Sequence, residues 1–414
     1  MWYIKNEKNY SKLYIRFLFH IGELVFSGLN KILSSQSTGK RNPRNILIIK
    51  THAIGDVLLV TPSIRYIRKR FPNAKISMLI GDWSKEALKG NPYIDEIITF
   101  EDSILQKKKI IKLLHLIFQL RQKKYDLCIM FHCNPIIHLM AFLIGVPQRM
   151  GFEEGNSGFS LTHKVPMEQG LTGRYMADIY LDLIDSRRII KRNNGLDFFL
   201  KEDEKKFAVS LLERYGIGKN NLLVCIAPGG GRNPREDVLA KQWSPKGFRE
   251  VAESLIKDYN GSVIILGSSD DRLIAEEIVD NISPKPINLC SLLTLRQSAA
   301  LIGESNLLIT NDSAPHHIAV ALGVPSITIF GPTMPETFIP DHGRDKHLYV
   351  KSKLDCSPCY KGLFPGCKEP KCMEHVSVEQ VIFLIRKILE IQQNSVNPFP
   401  TVSGDRRRNY KELI

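Results

Sequence analysis

Asn45-Ile46-Leu47-Ile48-Ile49-Lys50-Thr51-His52-Ala53-Ile54-Gly55-Asp56-Val57 is the stretch whose reading decides the fold. Ile46–Ile49 is a short apolar, β-branched run, too short for a helix and bounded by polar residues, so it reads as a buried strand. In the turn that follows, Gly55 suits a tight bend, and Asp56 stands where a helix over 57–70 begins. The same rhythm then repeats. Residues 76–80, 94–100 and 125–131 read as further strands, with a basic helix over 104–124 between the last two. Alternation of this kind predicts a parallel sheet with helices on both faces.

A second series follows a charged helix over 202–215. A strand over 222–227 ends in Pro228-Gly229-Gly230-Gly231, then come helix 245–259, strand 262–266 and helix 271–282. Strand 307–310, helix 315–322 and strand 326–330 complete it. A chain of 414 residues is long for a single core. The expected class is therefore α/β, with two Rossmann-like, doubly wound domains facing across a cleft and ligands beyond the carboxyl ends of the strands. The expected organisation is an N-terminal extension and linker over 1–44, a first domain over 45–200, a second over 201–392, and a basic disordered tail over 393–414.

The net charge of +14 calls for an anionic partner: nucleic acid, an anionic membrane surface or a phosphorylated substrate. Residues 1–45 carry eight Lys/Arg against two acids, Glu7 and Glu23, and residues 103–124 carry seven with no acid. Neither run is interleaved with aromatic stacking platforms, and no nucleic-acid-binding signature occurs, so no nucleic-acid partner is expected. Residues 9–33 read as one helix with a wide apolar face and Lys5, Lys8, Lys12 and Arg16 at its flank. It suits an anionic membrane interface, or equally a face packed on the protein body or on a second subunit. Arg16, His20 and Glu23 interrupt the apolar run, so it is not expected to span a bilayer. Lys107, Lys108, Lys109 and Lys112 face either a phosphorylated lipid headgroup or solvent.

Three loops carry candidate chemistry. Asp56 is either a helix N-cap or a carboxylate able to accept a proton from an attacking hydroxyl. No G-x-G-x-x-G occurs there, which argues against a dinucleotide-dependent oxidoreductase. Thr310-Asn311-Asp312-Ser313-Ala314-Pro315-His316-His317 joins a strand to a helix whose positive end, at Ser313, suits a phosphate. Asp312 is otherwise a cap, and His316 and His317 are otherwise packing residues. Gly229 and Gly230 allow close backbone approach to a ligand, and Lys241 offers a point charge for a diphosphate. In Gly267-Ser268-Ser269-Asp270-Asp271 a carboxylate could reach ribose hydroxyls, though capping by Asp270 is the default.

Taken in order, these pieces resemble glycosyltransferase family 9, the lipopolysaccharide heptosyltransferases. The likeness rests on Ile48-Ile49-Lys50 through Ile54-Gly55-Asp56-Val57, on Thr61-Pro62, and on Gly90-Asn91-Pro92-Tyr93-Ile94-Asp95. It continues at Lys241-Gln242-Trp243-Ser244-Pro245 and is strongest from Asn311 to His317, through Ala321-Leu322-Gly323-Val324-Pro325, to Phe330-Gly331-Pro332-Thr333. The resemblance implies a GT-B fold and an inverting, metal-independent glycosyltransferase that needs no cofactor. It implies Asp56 as general base, with Thr51, His52 and Gly55 in the acceptor-side loop. It implies a donor site of Gly229, Gly230, Lys241, Asp271, Asp312, Ser313, Ala314, His316 and His317. The implied donor is ADP-heptose, the implied acceptor the phosphorylated lipid A inner core, and the implied place the cytoplasmic membrane's inner face, peripherally bound.

Some residues depart from the family pattern. Ser313-Ala314 stands where Thr-Gly is common, and Ala314 takes a positive φ less readily. His316 replaces a small or apolar residue, which bears on donor preference. A family 9 enzyme with another donor sugar or acceptor, and an inactive nucleotide-sugar-binding scaffold, are the alternatives. Cys356, Cys359, Cys367 and Cys372 lie within seventeen residues and either hold a structural zinc or simply pack. Cys128, Cys133, Cys225 and Cys290 are expected to be buried, inert thiols.

Overall fold

The computed structural model describes residues 42–51, 53–101, 109–155, 157–167, 173–185, 195–230, 232–233, 236–359, 367 and 370–396. The N-terminal extension, His52, Lys107, Lys108, Gly231 and the tail beyond 396 lie outside the described residues. The chain divides into two compact units, chiefly between Phe199 and Leu200.

The first unit is a parallel sheet of β1 (Asn45–Ile49), β2 (Lys75–Gly81), β3 (Glu96–Phe100), β4 (Leu127–Met130), β5 (Gln148–Glu153) and β6 (His163–Pro166). Its spatial order is β3-β2-β1-β4-β5-β6. Around it run α1 (Ile54–Leu58), α2 (Thr61–Arg70), α3 (Ile110–Gln122), α4 (Pro135–Ile144) and α5 (Met176–Ile184). Residues 46–49 are fully buried, as a strand covered on both faces must be. Leu47 and Ile49 join one core cluster with Leu116, Ile117, Leu120 and Ile137 from α3 and α4. Alternate side chains of a strand point to opposite faces, which turns Ile46 and Ile48 to the other layer.

The single helix expected over 57–70 is two. A ring at Pro62 would collide with the carbonyl of Leu58, four residues back, inside a continuous helix. The chain breaks at Leu59-Val60 instead, and the Thr61 hydroxyl donates to the Leu58 carbonyl at 2.7 Å.

The second unit repeats the plan with α6 (Glu202–Arg214), β7 (Leu223–Ala227), α7 (Pro245–Tyr259), β8 (Ser262–Ile265) and α8 (Arg272–Val279). After these come β9 (Ile287–Asn288), α9 (Leu295–Glu304), β10 (Leu307–Asn311), α10 (Ala314–Leu322), β11 (Ser326–Phe330), β12 (His347–Lys351) and α11 (Val378–Val396). The sheet is again parallel, in the order β9-β8-β7-β10-β11-β12. Its core joins Val224 and Ile226 to Phe248 and Val251 of α7 and to Val381, Ile385 and Ile388 of α11. Those three are spaced four and three residues apart, one stripe of a helix.

In this unit three imidazoles, His316, His317 and His347, are buried. The His347 and Ser326 side chains pair at 3.0 Å between Nδ1 and Oγ, and His316 pairs with Thr328 at 2.9 Å. Burial first, then the neighbouring His316 and Lys346, pushes His347 down to about 3. In the unfolded chain the same ring binds a proton below about 6.5. The unfolded state thus holds more protons in between, and stability falls as pH drops from about 6.5 toward 3. The urea midpoint is expected to fall over this window in the wild type, and His347→Gln to flatten that slope by up to about 1.4 kcal/mol per pH unit.

Candidate active site

In both sheets the connections run one way from the central strand and the other way from its neighbour. That reversal lies between β1 and β4 in the first unit and between β7 and β10 in the second. Loops leaving such a point diverge, so the carboxyl ends of the two strands are left open to a ligand. The residues singled out by sequence cluster at these two points.

In the first unit, Lys50 follows β1 and is buried. Its ammonium donates to Tyr180 Oη at 2.6 Å and to the Phe131 carbonyl at 3.4 Å, and it lies 3.4 Å from Asp56 Oδ1. The Tyr180 ring, on α5, also lies 4.8 Å from Nζ. Burial opposes the charge on Lys50, but Asp56 and Tyr180 outweigh it and the net shift is upward, so the lysine stays protonated. The exposure of the pair is lopsided: the Lys50 side chain is 5% exposed and that of Asp56 37%. A buried cation therefore holds a carboxylate that faces outward. Asp56 is in the first turn of α1, not at its cap, and the position before the helix, Ala53, has no side chain that caps it.

Two loop residues have other roles than expected. Thr51 is buried, and its N–H donates to His132 Nε2 at 2.9 Å, which ties the β1 turn to the end of β4. Gly55 is an ordinary residue inside α1, not at a positive φ, so no tight turn requires it. His132 itself sits on His138, whose Nε2 meets the His132 carbonyl at 2.9 Å. Burial keeps His138 below the usual imidazole range.

In the second unit, Asn311 ends β10 and stitches three segments. Its amide donates to the carbonyls of Pro228 and Gly229 at 2.6 and 3.2 Å, and its oxygen accepts from the Trp243 N–H at 3.1 Å. Gly230 has φ +134°, and a Cβ there would come within 3.0 Å of Ser313. A Cβ at Gly229 would lie 2.2 Å from an Asp271 oxygen. Both glycines are thus required by their protein neighbours.

Lys241 and Asp312 meet at 2.8 Å, and the Thr333 hydroxyl donates to the same Asp312 oxygen at 2.7 Å. Burial pushes the Asp312 carboxyl up, but Lys241 and Thr333 outweigh it and hold it below its usual range. Here the exposure is reversed, with the Asp312 side chain 4% exposed and Lys241 16%. Ser313 precedes α10, and its hydroxyl turns back to the Asn311 carbonyl at 3.2 Å, leaving the helix start without a side-chain cap. The amides of that first turn carry the positive end of the helix dipole.

Other donor-side candidates are placed differently. Asp271 is buried and accepts from the Ser268 N–H and hydroxyl, both at 2.8 Å, so Asp271, not Asp270, closes the single 3-10 turn Ser269–Asp271 that precedes α8. Ala314 is the first residue of α10, so no positive φ is needed there. The ring of His316 is fully buried against β11, paired with Thr328. His317 is buried beside it, with ring centroids 5.1 Å apart.

Among the cysteines, Cys128, Cys225 and Cys290 are buried and Cys133 is half-buried. Burial pushes Cys290 up to about 11 and Cys133 to about 12, which makes them poor nucleophiles. Cys356 and Cys367 are exposed, Cys359 half-buried and Cys372 part of the core. Among the described residues no three His, Cys, Asp or Glu stand close enough to hold a metal ion. The Cys356–Cys359 segment packs on the turn after β11: the Ser357 hydroxyl donates to Gly331 O at 2.7 Å and the Cys359 N–H to Pro332 O at 2.9 Å. That turn leads directly to Thr333.

The profile of glycosyltransferase family 9 (heptosyltransferase) matches residues 113–365, more than half of the chain. A lipopolysaccharide heptosyltransferase 3 of Escherichia coli is 27% identical over 296 residues, covering 67% of this chain and 81% of its own. The solved glycosyl transferase family 9 protein of Veillonella parvula superposes with TM-score 0.71 at 24% identity, over 84% of this chain and 98% of that one. The E. coli ADP-heptose lps heptosyltransferase II does so with TM-score 0.67 at 21% identity, over 84% and 99%. These neighbours share the GT-B fold.

Breaking a buried ion pair on one side strands the other charge. Lys241→Met is expected to lower unfolding stability by about 3 kcal/mol in urea titration, and Lys241→Met with Asp312→Asn to recover most of it.

Proposed function

We infer, for a chain that belongs to glycosyltransferase family 9 and is a glycosyltransferase of the heptosyltransferase type, that it moves a heptose from ADP-heptose to the inner core of lipopolysaccharide. The observation that carries this reading is Asp56: a carboxylate at the switch point of the first sheet, open on one side and held from behind by a buried ammonium. A carboxylate in that setting suits general-base work on an acceptor hydroxyl. ADP-heptose stands in the name of a structural relative, and lipopolysaccharide in the name of a curated one.

The proposed reaction is a direct displacement that inverts the anomeric carbon. The acceptor oxygen attacks C1 as its proton passes to Asp56, and the bond from C1 to the diphosphate oxygen breaks. Negative charge then grows on the departing ADP. The Lys241 ammonium, held by Asp312 and the more exposed partner of that pair, is a point charge suited to that diphosphate. The start of α10 contributes its dipole. Asp312, itself anionic and buried, orients Lys241 and does not meet the diphosphate. These groups supply what a metal would supply to the leaving group, so the proposed displacement needs none.

The acceptor is a lipid, and peripheral attachment to the inner face of the cytoplasmic membrane is part of the same proposal. Among the described residues no helix is long and apolar enough to cross a membrane.

Acceptor-dependent ADP release from ADP-heptose, with a lipid A–core acceptor dispersed in detergent, is expected from the wild type. Asp56→Asn is expected to lower it by about 10² to 10⁴-fold. Its thermal midpoint is measured alongside, because that change also removes the counter-charge of Lys50. Release that survives in a folded Asp56→Asn protein contradicts the base assignment. No release by wild type rejects this donor and acceptor.

A further inference from the structure

Helix α3 is apolar on two sides. Leu116, Ile117 and Leu120 are buried in the core of the first unit. On the outside, Ile110, Ile111, Leu114 and Phe118 are exposed, Ile111 to 84% and Phe118 to 60%. At 3.6 residues per turn, Ile111, Leu114 and Phe118 fall within about 60° of arc, one stripe along the helix. On the neighbouring α4, Leu143 is also exposed, and its carbonyl accepts from Arg121 of α3 at 3.2 Å. An apolar stripe of a helix is ordinarily packed against another apolar surface. A contiguous exposed apolar strip marks a contact surface.

The charges around the strip identify what covers it. No acidic residue occurs between Asp102 and Asp126, while Lys109, Lys112, Arg121, Lys123 and Lys124 all belong to α3 or its ends. Glu101 pairs with Lys109 and Lys112, and Glu96 with Lys123, which leaves the helix and its ends cationic in sum. A second copy of the chain would bring the same cations face to face across a two-fold axis. Four side chains on one helix also fall well short of the roughly 800 Å² per partner of a stable dimer. The N-terminal 45 residues are equally ill-suited, with eight Lys/Arg against two acids. A surface of anionic lipid headgroups matches both features at once. Apolar side chains enter the boundary between headgroup and acyl chain, and lysines and arginines meet the phosphates.

We propose that α3 is an interfacial membrane-docking helix, which seats its Ile111-Leu114-Phe118 strip in the headgroup region of an anionic bilayer. This rests on the membrane part of the proposed function and not on its chemistry.

The test is flotation of the full chain with phosphatidylcholine vesicles and with mixed phosphatidylcholine–phosphatidylglycerol vesicles. Wild type is compared with Ile111→Ser/Leu114→Ser/Phe118→Ser, whose changes lie on the surface. Wild type is expected to float with the anionic vesicles only, and less so as salt rises. The triple variant is expected to partition about tenfold or more weakly while keeping its thermal midpoint and its ADP release on detergent-dispersed acceptor. A variant that floats as wild type does overturns the proposal, and so does a wild type that ignores anionic vesicles. If gel filtration finds a wild-type dimer that the triple variant loses, with flotation unchanged, the strip is a protein interface instead. A chain that floats but releases no ADP rejects the proposed reaction and leaves the docking helix standing.

Discussion

Two lysine–aspartate pairs of opposite polarity organise both candidate sites. At Lys50–Asp56 the cation is buried and the carboxylate looks out; at Lys241–Asp312 the carboxylate is buried and the cation is the more open partner. Neither pair is best understood as a source of stability, since replacing a buried pair whole is often nearly neutral. What each pair does is fix the sign of charge presented at an open strand end. A carboxylate held out by a protonated lysine is suited to taking a proton. An ammonium held out by a charged aspartate is suited to a diphosphate.

The sheet order makes those positions available. Both units place the reversal of their connections beside the first strand of the unit, so the loops after β1 and β4, and after β7 and β10, open away from each other. The surrounding groups then lock the loops. His132 holds the Thr51 turn, Asn311 binds the Pro228-Gly229 turn and Trp243, and Thr333 fixes Asp312. Several of these are buried polar groups with named partners, which gives a site its rigidity before any ligand arrives.

Much of this was legible in the sequence, for identifiable reasons. Runs such as Ile46–Ile49 and Leu223–Ala227 are buried on both faces, so continuous hydrophobicity marks them. β6, His163–Pro166, is mostly exposed, and nothing in its residues announces a strand. At the sites, Asp56, Lys241, Asp312 and Gly230 could be picked out from loops after strands. Their partners could not: Tyr180 lies 130 residues from Lys50, and Thr333 lies 21 residues beyond Asp312. Thr51 and His316 look like exposed loop chemistry in one dimension and are buried by packing that only the fold decides. Pro62 carried a legible signal, a helix break, which a continuous reading of 57–70 passed over.

The division of labour between the two pairs is tested most directly by titrating ADP, calorimetrically, into three proteins: wild type, Asp56→Asn, and Lys241→Met with Asp312→Asn. The expected result is equal ADP affinity in wild type and Asp56→Asn, and at least about tenfold weaker binding when the Lys241–Asp312 pair is removed whole. Undiminished binding without that pair, or ADP affinity lost with Asp56, would contradict the assignment of donor and base to opposite polarities.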